Sequence, residues 1–62
     1  MTDEQRWQEQ VWAWMITIVP QAEADRIVAQ DADQRQVRDM CRARGSKPKK
    51  TALAMIAAYP AM

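Results

Sequence analysis

Sixty-two residues with a formal net charge of +1 make one small domain, and a chain this short hides only about 60% of the surface its unfolded form exposes. Its 48% hydrophobic and 27% charged residues fit a globular chain, while one Gly and three Pro do not fit a turn-rich all-β one, so an all-α fold is expected. A single Cys excludes an internal disulfide, the lack of His leaves no zinc site, and no nucleophile–base pair or phosphate-cradling glycine loop is present; no enzyme, cofactor or small-molecule substrate is expected.

Thr2 with Gln5 three residues later is a capping-box pattern, and Asp3 and Glu4 put negative charge in the first turn that follows, so a helix is predicted to start there. Trp7, Val11, Trp14, Met15 and Ile18 fall on one apolar stripe of that helix, with Trp7 and Trp14 as its large core side chains. Trp12, Ile16 and Val19 form a second set, rotated from the first. They are predicted to be an exposed partner interface, for a symmetric homodimer or for another protein. The apolar run from Val11 to Val19 is far shorter than the ~20 residues of a membrane helix. The acidic start does not fit a signal peptide, so no membrane association and a cytoplasmic location are expected.

Pro20 suits the first position of a second helix, carried by Ala24, Ile27 and Val28 to about Gln30. Asp31 with Gln34 repeats the capping-box spacing and predicts a third helix, with Val37, Met40, Cys41 and Arg44 on one face, stopped by Gly45. Cys41 on that face reads as a small buried hydrophobe. Ser46 to Lys50 reads as a basic connector. Leu53, Ile56 and Tyr59 then mark the inner face of a last short helix closed by Pro60. The expectation is a single helical domain over residues 1–62, of three to four short helices, with helix one as its hydrophobic spine.

The overall charge conceals an asymmetry. Residues 1–34 carry two Arg against seven acids, a net of −5, whereas residues 35–62 carry seven Lys and Arg against Asp39 alone, a net of +6. Such a division suits an anionic partner for the second half, and it also suits contact between oppositely charged halves. Within helix three, Arg35, Arg38 and Arg42 at i, i+3 and i+7 are predicted to share a cationic face. There they can meet phosphates or guanine edges, and Gln34 and Gln36 can add amide contacts to adenine. The competing reading is a solvated face on which Asp39 pairs with Arg35 and Arg42. Lys47, Lys49 and Lys50 lie at the start of the last helix, where the dipole and free N–H groups repel cations; a docked phosphate or carboxylate satisfies both.

The stretch from Ala24 to Gln30, a turn at Asp31–Ala32–Asp33 and the run from Gln34 to Arg42 resembles a helix-turn-helix, with Ile27 and Val37 ten apart and Met40 three further on. The resemblance implies a helix-turn-helix-like fold in which helix three is the recognition helix, reading DNA with Gln34, Arg35, Arg38 and Arg42. Val37 to Gly45 followed by Lys50–Thr51–Ala52–Leu53 looks like the helix, Arg-Gly turn, basic loop and Lys-x-x-Leu helix of SAP-type DNA-binding motifs. Both resemblances place DNA phosphates near residues 35–50. A small non-enzymatic nucleic-acid-binding regulator, with Gln34, Arg35, Arg38, Arg42, Lys47, Lys49 and Lys50 as its contact residues, is therefore the leading expectation. The alternative is a protein-binding inhibitor or adaptor acting through the helix-one patch or a charged face. Its size and lack of catalytic residues are similar to those of small phage-encoded inhibitors, including anti-CRISPR proteins. A structural homodimer module is the third reading.

Overall fold

The computed structural model describes residues 2–60, which form four helices: α1 (Asp3–Ile18), α2 (Gln21–Asp33), α3 (Val37–Ala43) and α4 (Pro48–Ala58). The all-α expectation holds, and so does the first cap. Gln5 N–H donates to Thr2 Oγ1 and Thr2 N–H donates to Gln5 Oε1, both at 3.1 Å, which closes the predicted capping box. α1 ends at Ile18 because Pro20 follows, and the turn into α2 takes only two residues.

The next boundary lies three residues later than the spacing predicts. Asp31–Ala32–Asp33 contains neither Gly nor Pro, so α2 runs through it to Asp33, and Gln34 and Arg35 make the turn. Gln36 then adopts the left-handed conformation at φ 54, with its N–H bonded 3.0 Å back to the Asp31 carbonyl. α3 consequently starts at Val37 and holds only seven residues. It ends as predicted at Gly45, whose φ of +74 suits a residue without a Cβ. Gly45 N–H bonds Arg42 O and Ser46 N–H bonds Cys41 O, the paired bonds of a Schellman motif. Residues 48–50, expected in a connector, are helical: Pro48 fixes a helical φ at the first position of α4, where no N–H is needed.

α4, not α1, is the spine, because it packs against each of the other three helices. Its inner face is rotated from the predicted one. Thr51, Ala52 and Met55 are fully buried and Tyr59 nearly so, whereas Leu53 is 47% exposed. The small side chains of Thr51 and Ala52 let neighbouring helices approach closely, and the Thr51 hydroxyl donates to the Lys47 carbonyl, so burying it leaves no polar group unpaired. Trp7, Val11 and Met15 from α1 and Ala24 and Ile27 from α2 complete the core. Trp14 departs from expectation. It lies about 60° round the helix from Val11, at the edge of the stripe, and is 40% exposed. On α3, Val37 packs against the core and Cys41 is half-buried, but Met40 is exposed because this short helix packs chiefly against α4.

One polar node ties three helices together. Asp31, 3% exposed within α2, accepts from Val37 N–H at 2.6 Å, from Arg38 N–H at 3.1 Å and from the Tyr59 hydroxyl at 2.6 Å. Asp31 does cap the third helix, as its spacing suggests, but from inside the preceding helix. Arg35 N–H donates to the same hydroxyl at 3.2 Å. Burial, and next the bond to Asp31, push the Tyr59 phenol above its ordinary value of 10.0. A raised acid of this kind contributes stability that is whole below the unfolded value and is lost as pH climbs beyond it. Denaturant midpoints should therefore fall above pH 10.0, and more steeply than in Tyr59→Phe. Parallel alkaline slopes in the two proteins would remove this role from Tyr59.

Candidate functional site

The cations of the second half are divided by the fold into three places. Gln34 and Arg35 sit in the α2–α3 turn, beside Arg26, Ala58 and Tyr59 and hence near the C-terminal end of α4. Lys47, Lys49 and Lys50 sit at the other end of α4, which at 11 residues is about 16 Å long. Arg38 lines a groove together with Val11, Trp12 and Met55. The predicted arginine face therefore does not form. Arg35 precedes α3, so the helical spacing that would align it with Arg38 and Arg42 does not apply. A seven-residue α3 that carries Arg38 toward α1 is also a poor reader of a major groove, and Gln34 lies off the helix altogether.

What does come together is a shelf running from Arg42 through the Gly45 turn into the first turn of α4. Arg42, Arg44, Lys47, Lys49 and Lys50 are all exposed there. Among the described residues the one ion pair is Arg26 with Glu23, on α2, so these five cations are free of acids and the predicted pairing of Asp39 with Arg35 and Arg42 is not made. Local contacts hold the shelf in place. The Trp7 indole N–H donates to the Ser46 carbonyl at 2.9 Å, fixing the loop against α1. The Arg42 guanidinium lies 5.4 Å from the Trp7 ring centroid, and the Lys49 ammonium lies 5.1 Å from that of Trp14. Two of the three Trp residues thus orient cations, a role that residue counting does not reveal.

The start of α4 adds backbone donors to the shelf. Lys47 occupies the cap position with no side-chain hydrogen bond, the first turn holds no acid, and Lys49 and Lys50 contribute N–H groups that helical geometry leaves without carbonyl partners. Chemically this arrangement offers point charges and N–H donors to an anion; it offers no nucleophile, base or metal ligand set. Among the described residues no His, Cys, Asp and Glu group is placed to hold a metal ion, and no helix is long and apolar enough to cross a membrane.

The helix-one interface residues differ in burial. Trp12 and Val19 lean partly buried against the core, while Ile16, one turn on from Trp12, is 42% exposed. Among the exposed apolar side chains of α1, Trp14 and Ile18 lie one turn apart on the side of the helix opposite Ile16, with Leu53 four residues beyond the Trp14-bound Lys49 on α4. Comparison with protein-family models, with curated proteins and with solved structures finds no match to this chain.

Proposed function

We propose that this protein is a non-enzymatic nucleic-acid-binding regulator that grips the phosphate backbone with the shelf formed by Arg42, Arg44, Lys47, Lys49 and Lys50. The observation that carries the reading is the concentration of five exposed cations, free of acids, around the uncapped start of α4. Phosphates satisfy both the ammonium groups and the free N–H groups, and such contacts position a protein on a duplex without reading its sequence. Base-specific readout by Gln34, Arg35 and Arg38 has less support, because these residues lie in the α2–α3 turn and in the α1 groove, away from the shelf. Titration of unrelated DNA duplexes should give similar affinities for all of them, with log K falling by about 0.9 for each phosphate contact per tenfold rise in salt. No binding at low salt, or a strong preference for one sequence, would count against backbone gripping.

A second reading, an inhibitor or adaptor docking on a larger protein, is favoured by the exposure of Trp14, Ile18 and Leu53 beside Lys49. Aromatic anchors next to a cation are frequent in protein interfaces. The same surface suits a second copy of the chain, and failure of DNA binding at low salt would favour docking of a protein there.

A further inference from the structure

A concavity lies on the side of α1 away from Trp14. It is an open groove of about 640 Å³ whose floor is core: Val11 and Met15 from α1, Val28 from α2 and Met55 from α4, with Trp12 as one wall. Arg38 lines the groove, and its Nε–H is buried with no hydrogen-bond partner. An unpaired buried donor is costly, and on a guanidinium it is more so. Gln5 and Gln8 supply amides at the rim, and Glu9 is the acid there, yet Glu9 makes no ion pair with Arg38. Apolar walls, few convergent polar groups and this volume are the usual make-up of a small-molecule site.

We propose that this groove binds a small apolar monocarboxylate. The carboxylate pairs with the Arg38 guanidinium that lines the groove, and a small side-chain shift brings the buried Nε–H into a side-on pair of N–H···O bonds, the strong geometry for Arg. The hydrocarbon body covers Val11, Met15, Val28 and Met55 and lies against Trp12. Glu9 at the rim sets the charge limit: a second carboxylate on the ligand would face it, so a monoanion fits and a dianion does not. The site is independent of the phosphate-gripping shelf, since neither Lys47, Lys49, Lys50 nor Arg42 lines it.

Hexanoate is the probe, with hexanamide, hexylamine and inorganic phosphate as comparisons, read by NMR shifts of the three indole N–H groups assigned through single Trp→Phe variants. Hexanoate should shift Trp12 saturably and hexanamide should bind about tenfold more weakly or worse, while hexylamine and phosphate leave Trp12 unmoved. Arg38→Gln should remove the preference for hexanoate over hexanamide, and Arg38→Lys, which keeps the charge, should restore part of it. Unchanged far-UV circular dichroism in both variants shows that the fold persists. Equal binding of hexanoate and hexanamide, a phosphate response like that of hexanoate, or no saturable shift overturns the proposal. Trp12 shifts that follow protein concentration in the absence of acid assign the groove to a second copy and overturn it as well.

Discussion

Replacing Asp31 by Ala should cost about 3–5 kcal/mol, a large share of the chain's stability, because one buried hydroxyl and two partly buried N–H groups lose their acceptor at once. The Val37 and Arg38 N–H groups and the Tyr59 hydroxyl all end on this one carboxylate. Each orphaned donor costs about 1–3 kcal/mol, and a chain of this length has only roughly 3–9 kcal/mol in total. Asp31→Asn should cost less, about 2 kcal/mol, since one carbonyl oxygen remains while the new NH2 group meets a donor. Asp33→Ala is the comparison: it lies two residues away on the exposed side of α2 and should stay within about 0.5 kcal/mol of the parent. Urea unfolding followed by circular dichroism separates these outcomes. Asp31→Ala and Tyr59→Phe should also be non-additive, because each removes the same bond. An Asp31→Ala midpoint equal to that of Asp33→Ala would show that the node carries no stability.

Local signals were legible wherever one residue type decides the backbone. Thr2 and Gln5 made their capping box, Pro20 separated α1 from α2, and Gly45 stopped α3. Asp31 acts further along the chain than its spacing implies. Its spacing to Gln34 describes a cap made within four residues, whereas its real partners are six and seven residues on and, through Tyr59, in α4. Periodicity likewise finds an apolar face but not its centre. Trp14 is left at the edge of the inner face of α1, and Leu53 lies on the far side of α4 from Thr51, Ala52 and Met55, which are buried although two of them are small or polar. The cations of residues 35–50 were visible as a group, but their division was not. It follows from where α3 starts and from the length of α4, neither of which charge counting measures.

Changing Lys47, Lys49 and Lys50 together to Gln should weaken duplex DNA binding by well over tenfold and reduce the salt slope by about 3, since each phosphate contact contributes about 0.9. Folding should hardly suffer. Cations at a helix N-terminus are mildly unfavourable, so their removal raises stability slightly, and the loss of the Lys49–Trp14 contact offsets part of that gain. Gln34→Ala with Arg35→Ala is the matched control at the far end of α4, and it should leave both affinity and slope unchanged. This control carries the distinction between the two forms of nucleic-acid binding. In a helix-turn-helix reader the Gln34 and Arg35 changes would relax sequence preference and cost affinity. In a backbone-gripping shelf only the Lys changes matter, and they act on every sequence alike. Unchanged DNA affinity in the triple Lys variant, with normal helicity, would reduce the start of α4 to a solvated turn and would turn attention to the Trp14, Ile18 and Leu53 surface as the place where a partner binds.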